Sequence, residues 1–171
     1  MRNSPAELVR AALVAKGVAV IPSDAIALGN LLWSDGAALL WSDGVGLLWG
    51  TLVTVIYVGH LPDTPDEVAC VFDTPGFTEG RIQRTGETIT KSGWQVRVRA
   101  PDHATAYAII SNIQAALDAV RNLPVAIQGN GYTINAITQS GGVLALGQEP
   151  EAKRRNGFTL NGTVTYREAP R

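Results

Sequence analysis

The sequence predicts an α+β fold: a mixed or antiparallel sheet with two main helices packed on one face, plus a polar arm and a short apolar repeat insertion. Three observations carry that expectation. Apolar residues recur at helical spacing in two separated stretches, Leu8, Val9, Ala12, Leu13 and Ala15, and then Ala106, Ile109, Ile110, Ile113, Leu117 and Val120. They alternate with polar residues at period two in Gly93 to Ala100 and again in Gly157 to Arg167. The chain has 171 residues, 46% hydrophobic and 17% charged, which is one domain with a core of ordinary size and too apolar a composition for disorder.

The elements follow in order. Ser4 caps the first helix, Pro5 takes its first position, Glu7 completes a capping box and Gly17 provides a left-handed stop. The apolar run Val18 to Ile21 leads to Pro22. Residues 28–50 form the insertion: Leu31-Leu32-Trp33-Ser34-Asp35-Gly36 recurs as Leu39-Leu40-Trp41-Ser42-Asp43-Gly44 and in part as Leu47-Leu48-Trp49-Gly50, with a period of eight. Asp-Gly accepts the positive φ values of a tight turn, so the repeat reads as a small meander, either an interaction strip or a local duplication in a tolerant loop. Thr51 to Val58, rich in β-branched residues, reads as a buried strand.

Pro62 and Pro65 make Leu61 to Asp66 a loop, and Val68 to Phe72 is a short strand. Asp73 to Ser92 is a polar segment punctuated by Pro75, Gly76, Gly80 and Gly86, read as an extended arm or loop. In Gly93 to Ala100, Trp94, Val96, Val98 and Ala100 share one face and Gln95, Arg97 and Arg99 the other. Pro101 ends this strand, and Asp102 caps a helix running to about Asn122, with Pro124 beyond it. Val125 to Gln128, Tyr132 to Thr138, Val143 to Leu146 and Gly157 to Arg167 read as strands. The last keeps its alternation through Asn161-Gly162 and is one long strand. The whole chain, 1–171, is read as a single domain.

Charge narrows the function. The net charge is -1, with 14 Lys plus Arg against 15 Asp plus Glu, so no global basic field holds nucleic acid or an acidic membrane. The halves differ: residues 1–74 carry three basic and eight acidic groups, residues 75–171 eleven and seven. Opposite local charge suits either acidic loops that fall early in the chain or head-to-tail contact between copies. The uncharged run Val45 to Val58 is short of the ~20 residues of a membrane-spanning helix, and no membrane association is expected.

Catalytic signatures are missing. There is no phosphate-loop, dinucleotide-binding, Gly-x-Ser-x-Gly or His-Glu-x-x-His pattern. Cys70, the single cysteine, lies in an apolar strand and reads as an inert small hydrophobe; His60 lies beside a proline-containing loop, and His103, in a first helical turn, reads as solvated and not catalytic. Asp63, Asp66, Glu67 and Asp73 offer hard-cation oxygens but lack calcium-loop spacing, leaving a small divalent-cation enzyme as the competing reading. No catalytic residue, metal or cofactor is assigned. Lys153-Arg154-Arg155 is a short basic run before the last strand. Arg97 and Arg99 project the same way about 7 Å apart with no acid between them, so something outside their strand is expected to pair with them, whether solvent, carboxylates of a neighbouring copy around Asp63 to Asp73, or an anion.

Several stretches together resemble a family. Leu61-Pro62-Asp63-Thr64-Pro65-Asp66, Gly93-Trp94-Gln95-Val96-Arg97-Val98-Arg99-Ala100 leading to Ala106-Tyr107, Gly131-Tyr132-Thr133-Ile134, and Arg154-Arg155-Asn156-Gly157-Phe158-Thr159-Leu160-Asn161-Gly162-Thr163-Val164 are similar to the tail terminator or minor capsid proteins of long-tailed bacteriophages. The repeat is not part of that pattern. The resemblance implies a structural protein of the virion, present in the host cytoplasm during assembly, that forms a hexameric ring on the tail tube. It implies contact with the tail tube protein and with a head connector or stopper protein, with DNA only passing through the lumen. A head-connector or tail-tube component of related fold is the nearest alternative. On this reading Asp63, Asp66, Arg81, Arg84, Lys91, Arg97, Arg99, Arg154 and Arg155 are the candidate subunit or partner contacts.

Overall fold

The structure, a computed structural model, describes residues 4–20, 54–81, 88–149 and 154–168; the repeat and its flanks lie outside them, as does Arg84. Helix α1 spans Pro5–Ala15, opened by the expected capping box: Ser4 Oγ accepts from the Glu7 N–H, and Glu7 Oε2 accepts from the Ser4 N–H at 2.9 Å. Its next free N–H, on Ala6, donates at 2.7 Å to Asp73 Oδ1 from far along the chain, so a carboxylate sits on the positive end of the helix. Strand β1 (Ala19–Val20) runs parallel to β2 (Thr54–Val58), and β2 runs parallel to β3 (Val68–Arg81).

Strand β4 (Thr88–Ala100) returns antiparallel to β3, and helix α2 (His103–Asp118) follows with Asp102 accepting from the Thr105 N–H at 2.8 Å. The helix stops short of Asn122. Val120 turns into the core, Asn122 takes φ 47°, and Pro124 bars the residue before it from helical geometry. Strand β5 therefore begins earlier than the sequence suggests, at Arg121, and runs to Ile127. Gln128 and Gly129, at φ 50° and 80°, make the tight turn into β6 (Asn130–Gln139). Strands β7 (Leu144–Gln148) and β8 (Asn156–Glu168) complete a mixed sheet ordered β1-β2-β3-β4-β8-β6-β5, with β7 also paired to β8.

The segment Asp73 to Ser92 differs most from expectation. Residues to Arg81 continue β3, and residues from Thr88 open β4, paired across to Thr165, Tyr166 and Arg167 of β8. The prolines and glycines that read as loop punctuation mark two irregularities in the ladder, between Thr74 and Phe77 and between Thr78 and Gly80. A ribbon wetted on both faces needs no hydrophobic alternation, so β-branched Thr74, Thr78, Thr88, Ile89 and Thr90 were the only signal.

One core fills the inside of the sheet. Trp94, Val96, Val98 and Ala100 of β4 and Phe158, Leu160, Val164 and Tyr166 of β8 form a single cluster with the buried stripes of both helices. Helix α1 touches β1 and β2 near one sheet edge and β5 at the other, so the sheet curls around it. Gly162, opposite Trp94 in the ladder, leaves room for the indole. Among the described residues no helix is long and apolar enough to cross a membrane.

Candidate functional site

The nine residues between β2 and β3 have an unusual task. Parallel neighbours are ordinarily joined by a longer crossover, yet here Gly59 to Glu67 brings the chain back alongside β2. Two prolines leave this loop richer in carbonyl acceptors than in N–H donors, and arginine, with five donors and no acceptor, suits the deficit. Arg99 Nη2 donates to the carbonyls of Pro62, Asp63 and Pro65 at 2.6, 3.0 and 3.1 Å. Arg155 Nη1 donates to the Asp63 carbonyl at 2.7 Å and to Asp66 Oδ1 at 3.3 Å, its Nη2 to Asp63 Oδ1 at 3.0 Å, and its Nε to Glu149 Oε2 at 2.7 Å. Burial pulls the Arg155 guanidinium down, but its bonds to Glu149 and Asp63 outweigh that and hold its pKa above the ordinary arginine value.

The clasp occupies Arg99 and Arg155, two of the candidates for contact with another copy, within their own chain. Both are buried: Arg99 is held by loop carbonyls, and Arg155 takes Asp63 and Asp66 as its acidic partners. Of the carboxylates that resembled a cation site, Asp63 and Asp66 accept from Arg155, and Asp73 accepts from α1 instead of joining them. Cys70 lies under the same loop. Its thiol donates to the His60 carbonyl at 3.1 Å, and its pKa is pushed up to about 11, chiefly by burial, which the backbone around His60 and the Arg97 charge only partly offset.

Arg97, two residues before Arg99 on the same face, stands outside the clasp and exposed. Its guanidinium carbon lies 5.2 Å from the centre of the Phe72 ring, and its Nε donates to Gln95 Oε1 at 2.8 Å. Gln95 Nε2 in turn donates to Asn161 Oδ1 at 2.8 Å, so a relay of amides holds the cation on the helix-free face. Arg154 is exposed at φ 46°, with its carbonyl accepting from Gln148 Nε2 at 2.8 Å. Lys91 sits in β4 between Phe77 and Thr165, and Arg81 ends β3 opposite Thr88. The clasp gathers Asp63, Asp66, Arg99 and Arg155; Arg97, Arg81 and Lys91 lie apart from it along the ribbon.

The histidines also have definite surroundings. The His103 ring stacks on Tyr107 and meets Phe158 edge-on at 5.0 Å, covering the end of the core where α2 begins. Sequence reasoning passed over three exposed apolar strand residues: Phe77 on β3 and Leu144 and Leu146 on β7, exposed by 61%, 57% and 57%. The available signal was Leu-Ala-Leu beside Ser140-Gly141-Gly142, a strand too short to bury both leucines.

No curated protein matches the sequence. Among solved structures, a chain from "Virion of native gene transfer agent (GTA) particle" is similar at a TM-score of 0.40 and 16% identity, over 67% of this chain and 78% of that one. Residues 13–158, from the end of α1 into β8, match the family described as "Bacteriophage tail terminator protein". With the clasp, the ribbon and most of the core inside that match, the chain belongs to the bacteriophage tail terminator family, structural proteins of the phage tail.

Proposed function

We propose that copies of this chain join head to tail in a ring of six, which closes the end of the tail tube and presents the surface that a head connector or stopper protein meets, with DNA passing through the lumen. The match to the terminator family over residues 13–158 carries this reading. The fold supports it in two ways. Two of the carboxylates that a cation site would need free, Asp63 and Asp66, accept from Arg155 within the clasp, while Arg97 is left exposed on a face without helices. Of the residues expected to join subunits, Arg97 and Arg154 are exposed and Lys91 is half-buried, with Arg81 and Arg84 shortly before it in the sequence.

Mass photometry of the purified protein, alone and with tail tubes, tests the reading, together with electron microscopy of the tube ends. Rings at tube tips that stop further tube growth are expected. A protein that stays monomeric and leaves tube length unchanged overturns it.

A further inference from the structure

Open sheet edges invite pairing, and this chain treats its edges unequally. Edge strand β5 carries Pro124, which has no N–H to offer, and the part of β3 beyond its pairing with β2 carries Pro75 at an irregularity. Strand β7 has no proline or charged residue. Its partner among the described residues is β8, all five of its residues are exposed, and Leu144 and Leu146 stand 57% open to solvent. Interrupted only by a register shift between Ala145 and Gly147, an edge bearing two exposed leucines calls for a cover.

We infer that β7 is one half of the contact between successive copies in the proposed ring, and that it is covered by the β3–β4 ribbon of the next copy through Phe77. The inference rests on the ring reading and names its interface. A ring is closed by two different patches, not one self-complementary patch. Among described strand residues the large exposed apolar side chains are Phe77, Leu144 and Leu146, and they divide into two such patches. They lie at opposite corners: Phe77 is level with Lys91 and Thr165, and Leu144 with Thr159, on the far side of β8.

Charge and direction agree with a second copy as the occupant. The β7 corner carries Asp63, Asp66, Glu67 and Glu149 against Arg99, Arg154 and Arg155, and three of those carboxylates keep 75%, 51% and 36% of their side chains exposed while binding Arg155. In sequence, the stretch from Phe77 to Lys91 holds Arg81, Arg84 and Lys91 against Glu79 and Glu87. A net negative corner thus faces a net positive one. Strands alternate in direction from β3 through β4 and β8 to β7, so a rotated copy brings its β3 to a neighbour's β7 in the antiparallel sense.

The test uses two variants under whichever condition assembles the wild-type ring. Leu144→Gln with Leu146→Gln removes one patch, and Phe77→Ser removes the other; circular dichroism confirms that both are folded. Each alone is expected to lose rings and run as a monomer, and an equimolar mixture is expected to give a dimer and nothing larger, since it restores one contact per pair. Rings from either variant alone, or a mixture that stays monomeric, overturn the inference. Should a variant fail to fold, the Phe77→Cys, Leu146→Cys chain replaces it, Cys70 being buried: oxidation is expected to yield a covalent ladder of copies, and a monomer band alone overturns the pairing. A wild-type protein that forms no ring even on tube tips refutes the ring reading itself.

Discussion

Substituting Gly162 by alanine puts one methyl group where the core has least room. A Cβ there would lie 2.8 Å from Trp94 Cε2, and closer still to Trp94 Cζ2 and the Thr138 carbonyl oxygen, whereas ordinary contacts begin near 3.4 Å. The indole must retreat by at least half an ångström. It is fully buried, and the third neighbour is the backbone of β6, paired to β8 at Thr138 and Thr163. Overpacking costs about 1–3 kcal/mol, and with backbone on one side and a packed ring on the other the upper end applies, about 3 kcal/mol. For a chain of this length that lowers Tm by about 6–12 °C.

Trp94 offers a check on the mechanism. Its Nε1–H is buried with no acceptor among the described residues, so replacing the indole removes that donor as well as apolar contacts. Trp94→Leu also vacates the space that the new methyl needs. Gly162→Ala should therefore cost about 1–2 kcal/mol less in the Trp94→Leu background than in the wild type, the remainder reflecting the Thr138 carbonyl. Urea denaturation followed by circular dichroism measures all four corners of the cycle. A Gly162→Ala variant within about 0.5 kcal/mol of wild type, or strict additivity with Trp94→Leu, would refute this account of the core.

Three other outcomes are expected. Asp73→Ala strips the Ala6 N–H of its acceptor and should cost about 1 kcal/mol by urea denaturation, with the loss of helicity confined to α1 in hydrogen exchange. Because burial raises the Cys70 thiol to about 11 in the folded protein from an unfolded value near 9.0, stability should be intact below pH 9 and fall as pH rises from there toward 11, a decline that Cys70→Ala abolishes; iodoacetamide at pH 8 should leave the folded chain unlabelled. Arg155→Met should loosen Gly59 to Glu67, seen as faster amide exchange and proteolytic cutting there, while leaving α2 and β6 protected; unchanged exchange in the loop would show that Arg99 holds it unaided.

What could be read in the sequence, and what could not, divides along one physical line. Helix α1 is legible because its signals are local: Ser4, Pro5, Glu7 and Gly17 each act within a turn of the chain. The buried faces of β4 and β8 are legible because one side of each strand meets the core and the other does not, and alternation records that difference. The ribbon from Asp73 to Arg81 meets neither condition, so its strands looked like a loop. Arg99 is harder still. It shares a sheet face with Arg97, and nothing at positions 97 and 99 distinguishes the exposed cation over Phe72 from the buried one beneath Pro62 and Pro65. The difference comes from a loop more than thirty residues away in sequence, which crosses one end of that face and not the other. The sequence does hold half of the argument: two prolines in six residues leave carbonyls without matching donors, and some donor-rich side chain must supply them. It does not say which one, because the choice depends on how far β2, β3 and β4 slide past each other. In the observed register Val68 lies opposite Arg99 and Gly157 lies opposite Arg99 from the other side, which sets Arg155, just before β8, at the same end of the sheet. Both arginines therefore reach the loop, and a shift of two residues in the β3–β4 ladder would have left the clasp to Arg97 and exposed Arg99 in its place.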